Sequence, residues 1–272
     1  MKPLTNAEFK MFSEYLYQFA GINLTPQKKN LLATRLSQMI EKQGFNSFKD
    51  YYEHMQKDTT GKTLSEFINK ISTNYTYFFR EEEHFNFLQQ RALPELKQKL
   101  IMERDLRIWS AGCSNGSEPY TIAMLLADFF EQENTTWDTK VLATDISEKV
   151  LNYATEGIYK AADIEKIPPL WRMKYFSKLE TDSFQVVSPI RQNVIYRRLN
   201  LLSDFPFAKP FHIIFCRNVM IYFDEATKNR MIQKFYDKLQ PGGYLMIGHS
   251  ETIDRTISKF EYIMPSVYRR EG

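Results

Sequence analysis

Three short runs of the sequence place polar side chains directly after apolar, strand-like stretches, where an open α/β sheet presents its ligand. After LRIW comes Ser110-Ala111-Gly112-Cys113-Ser114-Asn115-Gly116-Ser117-Glu118, whose two glycines let the backbone turn sharply and approach a ligand closely. It has neither the spaced glycines of a dinucleotide site nor the Gly-Lys-Ser/Thr ending of a phosphate loop, and an ordinary strand-to-helix turn would use the same glycines. The run VLATD ends on Asp145, a carboxylate placed to accept hydrogen bonds from both hydroxyls of a ribose. The commoner use of such an Asp is to cap the next helix. After FHII, the segment Phe215-Cys216-Arg217-Asn218-Val219-Met220-Ile221-Tyr222-Phe223 brings Asn218 and Tyr222 toward the same mouth, or else buries the Tyr in a core strand. A glycine loop after one strand and an acid after the next suggest an adenosine-containing ligand. The missing pyrophosphate fingerprint points toward S-adenosylmethionine rather than NAD.

Other polar residues are more ambiguous. The run Ser72-Thr73-Asn74-Tyr75-Thr76-Tyr77-Phe78-Phe79-Arg80-Glu81 mixes small polar groups, aromatics and one Arg. Its guanidinium fork can hold a carboxylate through two parallel hydrogen bonds, but on composition alone the run reads as a linker whose aromatics plug a groove. Lys28, Arg35 and Lys42 recur every seven residues and share one helical face, which is either a solvated surface or a stripe that steers an acidic partner. His54, His84, His212 and His249 are scattered without ligand spacing, so no metal site is expected. Cys113 and Cys216 have no evident paired base and read as spectator thiols in a reducing compartment.

The elements that must position these residues fall into two groups. Up to about residue 75 only helical patterns occur. Asn6 is a plausible N-cap before a stripe of Phe9, Phe12, Leu16 and Phe19 that Gly21 ends. Thr25-Pro26 opens a second helix with a face of Leu32, Leu36, Met39 and Ile40, and two shorter helices follow, from Ser47 and from Leu64. From Arg80 a helix interrupted near Pro94 leads into apolar strands alternating with helices, the pattern of a parallel sheet covered on both faces. The expected division is a helical unit over 1–75 and an α/β unit over 76–272. Within the second, Phe184–Val187 and Asn193–Leu199 read as an antiparallel hairpin, an inserted subdomain over about 181–199.

Composition sets outer bounds. The 272 residues are 43% hydrophobic and 25% charged with a formal net charge of +3, a globular balance too mildly basic for a typical nucleic-acid binder. The first nineteen residues hold no uninterrupted apolar core, and no window approaches a membrane span, so a cytoplasmic protein is expected.

The motifs STNYTYFFREEEHF, WSAGCSNGSEPYTIAM, VLATDIS, NLL, IFCRNVMIYF, LQPGGYL and GHSET, in this order, resemble the bacterial chemotaxis receptor methyltransferase family, CheR, over nearly the whole chain. The resemblance implies an all-α N-terminal domain that recognises the receptor. A Rossmann-like S-adenosylmethionine-dependent domain with a small inserted antiparallel β-subdomain follows it. It implies methyl transfer to receptor glutamates, giving methyl esters and S-adenosylhomocysteine; the alternative is a scaffold that senses the cofactor without turnover. Asn74, Thr76, Arg80, Glu118, Asp145, Asn200, Leu201, Asn218 and Val219 would line the cofactor site, with Arg80 and Tyr222 nearest the chemistry. Lys28, Arg35 and Lys42 would meet the cytoplasmic helical bundle of the receptor, and a monomer recruited to receptor arrays is expected. The inserted turn is short and lacks glycine, which departs from the family pattern for docking a receptor tail.

Overall fold

The structure, a computed structural model, describes residues 3–71, 75–254, 256 and 258–272. The first unit packs four helices: α1 (Asn6–Ala20), α2 (Lys29–Lys42), α3 (Phe48–Lys57) and α4 (Lys62–Ile71). Thr5, not Asn6, caps α1. Its hydroxyl accepts from the Glu8 N–H at 3.2 Å while the Glu8 carboxylate accepts from the Thr5 N–H at 2.9 Å, a reciprocal pair that satisfies two orphan donors. Gly21 ends α1 in the left-handed region at φ 69°. Phe9, Phe12 and Leu16 are buried as the spacing predicts, but Phe19 turns out to the rim, 42% exposed, where its ring packs at a tilt against Tyr15, and Ala20 takes the inward place. Thr25-Pro26 opens a short 3-10 turn, Pro26–Lys28, that leads into α2. Phe12, Tyr51 and Phe67 form the centre of this unit's core.

The second unit begins with α5 (Glu82–Phe87), a wider π turn (Leu88–Ala92) and α6 (Leu93–Lys99). The π turn is the interruption expected near Pro94: proline has no N–H to donate, and its ring crowds the carbonyl four residues earlier. The remaining elements, in chain order, are β1 (Ile108–Ala111), α7 (Ser117–Phe129), β2 (Val141–Asp145), α8 (Glu148–Glu156), β3 (Ile158–Lys160), α9 (Pro169–Tyr175), β4 (Phe176–Glu180) and β5 (Ser183–Val186). They continue with α10 (Ser188–Gln192), β6 (Val194–Arg198), β7 (Phe211–Cys216), α11 (Glu225–Lys238), β8 (Leu239–Ile247), β9 (Phe260–Met264) and β10 (Val267–Arg270).

Seven strands form one sheet in the order β6-β2-β1-β7-β8-β10-β9, parallel except at the β10 and β9 edge. Every residue of β1 and β7 is buried, and the two faces carry separate apolar cores. From β1 the chain runs outward to β2 and β6, then returns to build β7 and β8 on the other side. The switch in strand order therefore falls between β1 and β7, which puts the loops after these strands side by side.

The expected hairpin does not form. The run over 183–186 pairs instead with β4 and β3 in a separate three-stranded antiparallel sheet, while Val194–Arg198 runs parallel to β2 in the main sheet, Val194 opposite Val141. The intervening Ser188-Pro189 opens the short helix α10 rather than a tight turn, because proline in the first turn of a helix favours a helical start and no glycine offers a hairpin turn. The small sheet and its flanking helices thus serve as the crossover that a parallel β2–β6 pair requires. Among the described residues no helix is long and apolar enough to cross a membrane.

Candidate active site

The two units are fastened together around a cavity. Tyr17 donates to the Asp224 carboxylate at 2.7 Å, the Asn23 N–H donates to the Tyr222 carbonyl at 2.8 Å, and Arg198 donates to the carbonyls of Thr60 and Gly61. Between them lies a cavity of about 490 Å³ lined by Ala20, Ile22 and Ile68 from the helical side and by the strand-end loops from the other. That size suits a nucleoside-sized ligand.

The loop after β1 forms one wall. Gly112 sits at φ +81°, and a Cβ there would overlap Val219 Cγ2 on the loop after β7, so the two loops meet at a place where only glycine fits. The N–H groups of Gly112 and Cys113 both donate to the Thr144 carbonyl, which ties this loop to the end of β2. Ser114 Oγ is buried in the cavity wall without a hydrogen-bond partner, an arrangement that a polar ligand would complete.

Asp145 closes the next side. It does not cap α8, whose N-cap is Ser147 accepting from the Val150 N–H at 3.3 Å. Its carboxylate instead accepts from the backbone N–H groups of Ser114 at 3.0 Å and Ser147 at 2.9 Å. Burial pushes its pKa up and those amides pull it back. A carboxylate has about four acceptor positions, so lone pairs remain for a pair of hydroxyls.

Charge converges on the floor, around a residue the sequence did not single out. Arg217, buried after β7, lies 3.2 Å from Glu81 Oε2 and 3.3 Å from Glu118 Oε2, donates to the Arg80 carbonyl, and covers the Phe85 ring. Ser110 donates to the other Glu118 oxygen at 2.7 Å. Burial raises the Glu118 pKa against the pull of Arg217. At Glu81 burial also pushes upward, but Arg217 and the Asn218 amide outweigh it and hold the group below the usual carboxylate range. Glu251 was missed as well: its carboxylate accepts from the N–H groups of Asn218, Ile221 and Gly248 and fixes the loop after β7, where Asn218 takes a left-handed φ of 58°. Neither residue shows a motif on its own. The only available signal was that Arg217 and Glu251 lie within the strand-end runs FCRN and GHSE.

The structure brings Thr76, Arg80, Glu118, Asp145, Asn200, Leu201, Asn218, Val219 and Tyr222 to this one cavity, while Asn74 lies outside the described residues. Arg80 donates to the Tyr75 carbonyl at 2.8 Å. The Asn200 amide is engaged between the Phe19 carbonyl and the Leu202 N–H, so it joins the two units as it lines the wall. Cys113 and Cys216 are buried free thiols in different cores, with pKa values that burial raises, which fits spectators.

A smaller groove adjoins the cavity at Ile22 and Tyr222. Ile22, Leu24, Leu31 and Ile71 give it an apolar lining, and Lys28 and Arg35 lie at its side. Arg35 donates to the Ile71 carbonyl at 2.7 Å, at the C-terminal end of α4. Lys42 lies outside the groove at the far end of α2, exposed.

Family comparisons agree with this geometry. Residues 7–72 match the model of the CheR methyltransferase all-alpha domain, and residues 74–268 that of the CheR methyltransferase SAM binding domain. A chemotaxis protein methyltransferase of Borreliella burgdorferi is 46% identical over 98% of this chain and 95% of its own length. A probable chemotaxis protein methyltransferase of Rhizobium etli is 39% identical over 88% of this chain and 90% of its own. A glycopeptide N-methyltransferase, MtfA, solved with S-adenosylmethionine, aligns over 52% of this chain and 46% of its own at 15% identity and a TM-score of 0.32. A helical unit and a doubly wound α/β unit closing on one glycine-walled, acid-lined cavity, with both halves matched in order, place the chain in the CheR methyltransferase family.

Proposed function

We propose that this chain transfers the methyl group of S-adenosylmethionine to glutamate side chains in the cytoplasmic helical bundle of chemotaxis receptors, giving glutamyl methyl esters and S-adenosylhomocysteine. The observation that carries the reading is the shared cavity: its inner walls come from the strand ends of a SAM-binding domain, and it shares Ile22 and Tyr222 with a smaller pocket that Lys28 and Arg35 help to line.

The cavity residues fit the cofactor. Asp145 holds the ribose hydroxyls, Leu201 and Val219 offer apolar contact to the adenine and the methionine chain, and Glu118, Ser114 and Asn218 supply acceptors and donors for the remaining polar groups. When bound, S-adenosylmethionine supplies a methyl group on a sulfonium, a good leaving group. A glutamate carboxylate with an ordinary pKa near 4.3 is already ionised at neutral pH, so the site needs no general base. What the protein contributes is orientation and removal of water from the acceptor. Arg80 and Tyr222 position the acceptor at the mouth, and Arg217 stays with Glu81 and Glu118 as part of the fixed floor.

The test is methyl transfer from labelled S-adenosylmethionine to receptor cytoplasmic fragments, read as methanol released by base. The wild-type protein labels the fragment, the label is base-labile, and Arg80→Ala loses transfer while calorimetry still shows cofactor binding. Base-stable label, or cofactor binding with no transfer to any fragment, would move the acceptor away from glutamate.

A further inference from the structure

One cluster of metal-type ligands lies behind the cavity floor and shares only Glu81 with the reading above. Glu81 opens α5, His84 follows one turn later, and His249 comes from the loop after β8, some 165 positions further along the chain. One ligand atom from each lies within 4.8 Å of the other two. Chain spacing conceals the cluster, since the fold alone brings His249 beside His84, ring centroids 5.0 Å apart.

His84 points to an unmet role. It is fully buried, and neither ring nitrogen has a hydrogen-bond partner. Its Nδ1 stands 3.6 Å from Glu81 Oε2, too far for a hydrogen bond. An orphaned buried polar group is costly, and a neutral imidazole with a free lone pair is a metal ligand. His249 is partly exposed, which gives an ion a path in, and its Nε2 lies 3.8 Å from Glu83 Oε2, a carboxylate at hand for a fourth position.

We propose that Glu81, His84 and His249 form a binding site for a borderline transition-metal ion of the Zn²⁺ type, and that its occupation opposes cofactor binding. Two imidazoles, one carboxylate and a fourth oxygen are a ligand set that such ions accept, and small side-chain movements bring the atoms to bond lengths of about 2.0–2.2 Å. The link to the cavity is atomic. Glu81 Oε2, the oxygen facing His84, is the same oxygen that holds Arg217, and Glu81 Oε1 accepts from the Asn218 amide at 3.3 Å. An ion that takes this oxygen weakens its hold on Arg217, and with it the setting of Glu118 and Asn218 in the cavity. Coupling of this kind is reciprocal, so the cofactor also weakens the metal. The coupling rests on the cavity being the cofactor site; the metal site does not.

The experiment titrates the full-length, metal-free protein with Co²⁺ and with Zn²⁺, beside His249→Ala, whose position on the surface spares the fold. Wild type is expected to bind one ion with visible cobalt d–d absorption, and His249→Ala to weaken binding about tenfold or more. Zn²⁺ just sufficient to fill the wild-type site is expected to raise the S-adenosylmethionine Kd by about fivefold or more in wild type and to raise it clearly less in His249→Ala. Absence of bound metal, or equal binding by His249→Ala, would overturn the site. Tight Zn²⁺ binding with an unchanged cofactor Kd would overturn the coupling. Methyl transfer measured in metal-free buffer reports separately on the reaction itself.

Discussion

Two arginines, one at the cavity and one beside it, live under opposite conditions. Arg217 is buried beneath the cavity with carboxylates on two sides, a carbonyl on its fork and an aromatic ring against its face. Arg35 is half-buried at the edge of the outer groove, and its Nη1 caps the end of α4. A charge held as Arg217 is held cannot relax without leaving two buried carboxylates opposed, so the floor is a fixed template. Charges along the groove stay in contact with water, where they are worth little in stability but act on association rate and register. The division would suit the proposed enzyme, with one small ligand and one large helical partner.

The largest effect expected from breaking this contrast is at the floor. Arg217→Met removes the cation and leaves Glu81 and Glu118 unpaired, with an expected loss of about 3–5 kcal/mol in denaturant unfolding and no measurable cofactor binding. An equally stable variant with normal affinity would show that the floor is not a template.

Gly112→Ala probes the wall. The positive φ and the overlap with Val219 together are expected to cost about 1–3 kcal/mol and to lower cofactor affinity about tenfold. Adding Val219→Ala relieves the overlap but not the φ, so the double variant should recover part of the affinity in calorimetry; full recovery would assign the whole effect to crowding.

Stability should also respond to acid through His212 in β7. Burial, helped by the Arg107 cation, lowers its pKa from 6.5 to about 4. Above pH 6.5 the imidazole is neutral whether the chain is folded or not, and its contribution is complete. Between 6.5 and about 4 the unfolded chain takes up a proton that the native state refuses, so stability falls as pH falls, by about 3 kcal/mol in all. Unfolding free energy measured from pH 7.5 to 4 should show this slope, and His212→Gln should flatten it.

The groove is the place for the smallest and most salt-sensitive change. Lys28→Glu is expected to raise KM for receptor fragments several-fold at low ionic strength, with the difference shrinking toward 0.5 M salt as charges are screened. Lys42→Glu, beyond the groove, should do less. A Lys28→Glu effect of equal size at all salt concentrations would mean a contact rather than steering.

Much of this contrast was legible in the residues. Strand-end positions identified Gly112, Asp145 and Asn218 before any coordinates, because an α/β sheet delivers its loops to one edge whatever the details. The seven-residue recurrence of Lys28, Arg35 and Lys42 predicts a single helical stripe; Lys28 lies in the 3-10 turn before α2, and only Lys28 and Arg35 line the pocket beside Tyr222. Arg217 and Glu251 were not legible, since their roles depend mostly on partners thirty or more positions away, and a buried charge looks in sequence like an exposed one. The hairpin error has a related cause. Two β-rich runs separated by a few residues predict mutual pairing, yet Ser188-Pro189 starts a helix, and each run finds its partner in another strand. The cap at Thr5 in place of Asn6 shows the same limit at one residue, with the reciprocal Glu8 contact making the choice.

The most direct test sets Asp145→Asn beside Lys28→Glu and measures, for both, cofactor Kd by calorimetry and KM for a receptor cytoplasmic fragment under saturating cofactor. If the floor holds the cofactor and the groove holds the acceptor, Asp145→Asn raises the cofactor Kd about tenfold or more with little change in KM for the fragment. Lys28→Glu then does the reverse. If both variants shift both constants alike, the cavity and the groove are one binding surface, and the division argued from Arg217 and Arg35 fails.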